Sequence, residues 1–117
     1  MATVLVVDDD AGIRKIVGMI LKQNGHDVLW ASNGLEALMV YSSYRARLDL
    51  VLTDVDMPQM NGLELAARIR ARDPSKKILL MSGRPLDRVE GPDNCPLLSK
   101  PFGPDQLIAA LGAVLKA

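Results

Sequence analysis

The sequence predicts an α/β domain built on an open parallel sheet with helices on both faces, and three observations carry that prediction. Short runs of β-type residues alternate along the chain with segments of helical apolar spacing, the pattern of successive βα units. Four of the runs end on chemically useful side chains: Thr3–Val7 leads into Asp8, Asp9 and Asp10, Asp49–Thr53 into Asp54, Lys77–Met81 into Ser82, and Pro96–Ser99 into Lys100. At 117 residues, 49% of them hydrophobic, the chain is long enough to bury a proper core and too short for two domains. It therefore reads as one domain over residues 1–117.

Each element has a local justification. After the aspartate triplet, Ile13, Val17, Ile20 and Leu21 form one apolar helical stripe, with Asp10 placed to cap it. Asn24-Gly25 ends that helix, Gly25 suiting the left-handed position just past a C-terminus. Asp27–Ala31 is the second strand. Asn33, with Glu36 three residues on, starts a second helix whose buried side is expected from Leu35, Leu38, Met39 and Tyr41 and which should fade before Leu48. The third strand delivers Asp54 to a loop punctuated by Pro58 and Gly62. Asn61 caps a third helix through Leu63, Leu65, Ala66 and Ile69, stopped at Asp73-Pro74. Residues Arg84–Glu90 make at most two helical turns, and Gly91–Pro96 is loop chemistry. The last helix opens at Gly103-Pro104 and buries Leu107, Ile108, Leu111, Val114 and Leu115.

Bulk properties narrow the function. Lys and Arg balance Asp and Glu at 14 each, so neither a basic nucleic-acid surface nor a membrane-binding face is expected. No apolar run is long enough to span a bilayer and no signal pattern precedes the first strand. The single cysteine, Cys95, has no disulfide partner and no zinc cluster around it. A cytoplasmic location fits best. Cys95 reads as a small loop or core residue, and the single histidine, His26, as a turn residue.

In a parallel sheet the four strand ends open on one edge, where open α/β folds bind ligands. Carboxylates crowded there repel, each pair at 4–5 Å costing roughly 3–4 kcal/mol at an effective dielectric near 20. A hard divalent cation relieves that cost, and oxygen ligands beside a phosphate suit Mg²⁺. With Ser82 and Lys100 on the same edge, the arrangement has the makings of a metal-assisted phosphoryl site.

Four segments together resemble the receiver domain of two-component response regulators: Val4–Asp10, Asp54–Pro58 with Asn61-Gly62, Met81–Gly83, and Lys100–Phe102. The resemblance runs over essentially the whole chain. It implies a flavodoxin-like (βα)5 doubly wound sheet of five parallel strands in the order 2-1-3-4-5, here with a shortened fourth helix. It implies Asp54 as phosphoacceptor, taking a phosphoryl group from a partner histidine kinase or histidine phosphotransfer protein. Mg²⁺ would be held by Asp9, Asp54 and the backbone carbonyl of Asp56, with Asp8 acting through a water. Lys100 would neutralise a phosphoryl oxygen, Ser82 would bond another and move on its arrival, and a cis bond before Pro101 would aim the lysine inward. The output would be a conformational switch, not a turnover reaction, so no enzyme is expected.

The sequence departs from the family pattern twice. Leu97 stands where an aromatic switch residue is usual, three positions before the lysine, and the Ser82-to-Lys100 interval is a few residues short. Those departures keep open a receiver-like interaction scaffold that no longer switches. Asp54-Val55-Asp56 also has the acid spacing of a haloacid-dehalogenase-type phosphatase, although Pro58 and the third-strand position fit that pattern poorly. A flavin-binding protein would share the fold, but no phosphate loop follows the first strand.

Overall fold

The computed structural model describes residues 2–83 and 95–116. The helical turns expected over Arg84–Glu90, and with them the shortened fourth helix, lie outside the described residues. Within those bounds the chain runs β1 (Thr3–Val7), α1 (Ala11–Gln23), β2 (Asp27–Ala31), α2 (Gly34–Tyr44), β3 (Leu50–Asp54), α3 (Gly62–Arg72), β4 (Lys77–Ser82), β5 (Leu97–Ser99) and α4 (Pro104–Lys116). The strands form one sheet in the order β2-β1-β3-β4-β5, with every pairing parallel. This is the doubly wound, flavodoxin-like order.

The side-chain alternation of β1 divides the core. Val4 and Val6 join Leu50, Leu52, Leu79 and Met81 beneath α1 and α4, which contribute Val17, Leu21, Leu107, Leu111 and Val114. Leu5 and Val7 join Val51, Ile78 and Leu80 beneath α2 and α3, which contribute Ala37, Tyr41, Leu65, Ala66 and Ile69. A one-residue slip of β1 would exchange these sets, so two buried faces fix its register.

Helix ends form where the sequence places them. Asp10 accepts hydrogen bonds from Gly12 and Ile13 N–H, at 2.8 and 3.2 Å. Gly25 takes a φ of 85°, as the exit from α1 requires. Asn33 and Asn61 accept from the N–H groups of Glu36 and Glu64. The Glu36 carboxylate reaches back to the N–H of Ser32 instead of the cap residue itself. At α4, Gln106 Oε1 accepts from Gly103 N–H at 2.8 Å. His26 Nδ1 accepts the N–H of Ala2, tying the start of β1 to the turn before β2.

Two apolar expectations for α2 need correction. Leu35 and Met39 face outward, 55% and 71% exposed, and the buried side is Gly34, Ala37 and Tyr41. The reason is a close approach: a Cβ at Gly34 would overlap the side chain of Met60, which turns the smallest side of the helix toward the sheet. A comparable contact holds α1, where the ring of the only tryptophan, Trp30 on edge strand β2, lies against Gly18 and beneath the Lys22 ammonium.

Gly62 stands at the third such approach. Its N–H donates to the Val55 carbonyl at 2.9 Å, and a Cβ there would overlap the backbone carbonyl of Asp54. Backbone cannot swing aside as a side chain can. Gly62→Ala should therefore lower stability by about 1–3 kcal/mol, read as a reduced urea midpoint at unchanged slope; an unchanged midpoint would show that the loop yields freely.

Candidate functional site at the carboxyl edge of the sheet

Strands β1 and β3 are neighbours, and the chain leaves them in opposite directions: β1 leads toward edge strand β2, and β3 toward β4 and β5. Their carboxyl ends therefore flank the crevice where such sheets bind ligands. Asp8 follows β1 and Asp54 ends β3; both are buried, at 1% and 6% exposure. Asp9 beside them is exposed. One carboxylate oxygen each from Asp8, Asp9 and Asp54 lies within 4.8 Å of the others.

Lys100 closes this cluster from the far strand. Its Nζ donates to Asp54 Oδ1 at 2.9 Å and to Asp8 Oδ2 at 3.2 Å. Its own N–H donates to the Ser82 carbonyl at 2.8 Å, which anchors the residue after β5 to the end of β4. The Lys100–Pro101 peptide bond is cis. Ser82 is fully buried as the last residue of β4, paired in register with Ser99. Asp56 lies two residues past Asp54 on the exposed loop. Leu97 sits half-buried at the start of β5, packed against the core under α2 and α3.

Burial is the main influence on Asp54 and pushes its carboxyl above the ordinary value; the Lys100 hydrogen bond opposes it, and Asp8 reinforces it. Burial by itself would lower the Lys100 ammonium, but the bonds and charges of Asp54 and Asp8 outweigh it and the net shift is upward. Cys95 is no nucleophile candidate, since burial raises its thiol.

One residue at this edge does not stand out in the sequence. Arg14 Nη1 donates to the backbone carbonyl of Asp8 at 2.6 Å, from one helical turn past Asp10. With Asp10 N–H donating to Asp8 Oδ1 at 2.9 Å, it fixes the strand end that carries the acidic pair. The four-residue step from Asp10 is the available signal, but that step cannot say whether a long side chain turns back or out.

The donor set fits a hard cation: three clustered carboxylates, no sulfur or imidazole, and an exposed member through which solvent reaches the cluster. The fold, this acidic pocket and the lysine together are those of a receiver domain. A family model described as the response regulator receiver domain matches residues 4–112, and the chain belongs to that family. It is a signalling domain, not an enzyme in the usual sense.

The chain is 39% identical over 122 residues to the transcriptional regulatory protein CpxR homolog of Haemophilus influenzae, covering 99% of this chain and 51% of that protein. It is 35% identical over 123 residues to the chemotaxis protein CheY of Listeria monocytogenes, covering 99% of this chain and all of that one. Among solved structures, a response regulator receiver domain protein from Clostridium thermocellum superposes with a TM-score of 0.90 at 27% identity, covering 99% of this chain and 95% of the other. The response regulator TrrA of Thermotoga maritima, in complex with Mg²⁺-BeF, superposes with a TM-score of 0.86 at 32% identity, covering 97% and 99%. The chain thus spans about half of the first relative and the whole of the second. Receiver domains as a class work with histidine kinases. Among the described residues, no helix is long and apolar enough to cross a membrane.

The raised Asp54 carboxyl has a pH signature. Its folded-state value exceeds the unfolded one, so the folded protein holds this proton more tightly. That contribution to stability is complete below the ordinary carboxyl range and is lost as pH rises through the raised value. Without added Mg²⁺, the urea midpoint of Asp54→Asn should fall less than that of the native chain as pH rises from the ordinary carboxyl range. Parallel profiles would mean that Asp54 is not held above its ordinary value.

Proposed function

We propose that residues 1–117 act as one phosphorylation-dependent receiver unit in which Asp54 accepts a phosphoryl group from a phosphohistidine on a partner kinase or phosphotransfer protein. The observation that carries this reading is the double contact of Lys100 Nζ with Asp54 and Asp8, which sets a cation beside one oxygen of each buried carboxylate, next to the exposed Asp9. In the transfer, an Asp54 oxygen attacks phosphorus; the new P–O bond forms as the P–N bond to the donor imidazole breaks. The bonding pair leaves with the imidazole nitrogen, which takes a proton from solvent. Lys100 exchanges its Asp54 contact for a phosphoryl oxygen, keeping a charge-assisted bond throughout.

Asp9, Asp54 and the Asp56 carbonyl would hold Mg²⁺, with Asp8 acting through water. Bound there, the cation would offset the joined negative charge of the carboxylates and the phosphoryl oxygens. Ser82, buried at the end of β4, would bond a phosphoryl oxygen and carry its arrival into the residues that follow. Leu97 has no aromatic ring to swing into that space, so the response would centre on Ser82 and the segment after it. As part of the same proposal, the unit would act in the cytoplasm.

With acetyl phosphate and Mg²⁺, the intact mass of the native chain should rise by one phosphoryl group, and Asp54→Asn should show no increase. An undiminished increment in that variant would assign the acceptor elsewhere. Ser82→Ala should still be phosphorylated but lose most of the conformational response in amide exchange, and Lys100→Ala should retain Mg²⁺ binding while accepting phosphate more slowly.

Mg²⁺ affinity should separate the acidic pair. A direct ligand contributes more than a water-mediated one, so Asp9→Asn should weaken binding more than Asp8→Asn in a calorimetric titration. Equal losses would put both carboxylates in the same role. At a Mg²⁺ concentration one hundred times its Kd, binding should raise native stability by about 2.7 kcal/mol.

A further inference from the structure

Of the three clustered carboxylates, Asp9 is the exposed one, and among the described residues no hydrogen bond or ion pair holds its side chain. Asp8 and Asp54, by contrast, are both tied to Lys100 Nζ. An untethered carboxylate is spread over several rotamers, and a bound cation must fix one of them against that freedom. How far the carboxylate has to be gathered in depends on the direction in which Asp9 leaves the backbone.

Two planar peptides flank Asp9, and each is held by one bond. The peptide from Asp9 to Asp10 gives its N–H to Asp8 Oδ1 at 2.9 Å. That acceptor is well secured: Asp8 is buried, its Oδ2 meets Lys100 at 3.2 Å, and its own N–H donates to the Ala31 carbonyl at 3.2 Å. The peptide from Asp8 to Asp9 presents its carbonyl to Arg14 Nη1 at 2.6 Å, so its orientation rests on one side chain. Arg14 reaches back from a fixed base, because its N–H donates to the Asp10 carbonyl at 3.1 Å in the opening turn of α1, which Asp10 caps. Among the described residues no carboxylate pairs with Arg14, although Asp8, Asp9 and Asp10 stand just ahead of it in the chain. The half-buried guanidinium is committed to a backbone oxygen instead.

We propose that Arg14 is a positioning residue for the cation: by holding the Asp8–Asp9 peptide it presets the Asp9 carboxylate for a small hard ion, and so favours Mg²⁺ over Ca²⁺. Mg²⁺ tolerates little departure from octahedral ligands at about 2.0–2.1 Å, whereas Ca²⁺ accepts longer and less regular ones. Two influences of Arg14 on the cation have opposite signs. Its charge repels a metal ion, so by charge alone its removal would tighten Mg²⁺ binding. Its hold on the peptide favours the ion, so by positioning its removal would weaken binding. The inference rests on the Mg²⁺ role proposed for this cluster and adds to it a residue bonded to a backbone oxygen outside the ligand set.

The test titrates Mg²⁺ and Ca²⁺ calorimetrically into the full chain, Arg14→Met, Asp9→Asn and the double variant. Arg14→Met should bind Mg²⁺ about tenfold more weakly than the native chain, and Ca²⁺ no more than about threefold more weakly. In the Asp9→Asn background the same change at Arg14 should cost less than about twofold, since no carboxylate is left there to position. Arg14→Lys keeps the charge but not the reach and fork of the guanidinium. It should lose Mg²⁺ affinity in the same direction though less, and it carries the test should Arg14→Met not fold. Tighter Mg²⁺ binding by Arg14→Met overturns the proposal by showing that charge outweighs position. A loss that carries over undiminished into Asp9→Asn, or one equal for both ions, overturns it by showing that Arg14 supports the fold at large. If the native chain takes up Mg²⁺ and Arg14→Met does so equally well, this inference alone fails; if the native chain takes up none, the cation reading of the cluster fails and the inference with it.

Discussion

Two buried carboxylates on neighbouring strands share one ammonium. Asp8 and Asp54 sit almost out of solvent at the ends of β1 and β3, and Lys100 reaches both from beyond β5. Left unpaired, such charges would be expelled or neutralised by protonation. The lysine makes their burial tolerable, and several features of the edge hold that arrangement. Arg14 and the Asp10 N–H fix the strand end bearing Asp8; Gly62 lets the loop after Asp54 fold back against the strand; Ser82 anchors the lysine's backbone. The pairing also leaves the site in balance. In the function proposed here, an arriving phosphoryl group would exchange one anionic partner of Lys100 for another without requiring the lysine to find a new place.

The parts of the fold that depend on near neighbours along the chain are legible in the residue order alone. Asp10, Asn33, Asn61 and Gly25 end or begin helices through bonds spanning two to four residues, and such bonds leave a residue-type signature. The strand ends are legible for a related reason: a β-type run that stops on Asp54 or Ser82 fixes which edge those side chains occupy once the strands are parallel.

The facing of α2 is not legible in the same way. Leu35, Leu38, Met39, Val40 and Tyr41 place apolar groups around most of that helix, so helical spacing alone does not choose a side. The choice is made by Gly34 against Met60, a contact between residues 26 positions apart. Lys100 belongs to the same class, joining Asp8 across 92 positions. Its chemistry marks it as a candidate, but only the sheet order brings it to the aspartates. Arg14 escapes notice because a basic residue on a helix has an ordinary solvated explanation.

The ring of Trp30 rests on Gly18 of α1, with the Lys22 ammonium above it, while one edge of the ring stays open to water. A single indole in such a half-covered seat has an emission colour set by how firmly one helix presses on one edge strand. The chain therefore carries its own optical gauge of α1 docking, with no second tryptophan to blur the signal. Because α1 leads out of the site through its cap Asp10, that gauge sits on the helix next to the acidic pair, and the docking of this helix can be watched in solution without a label.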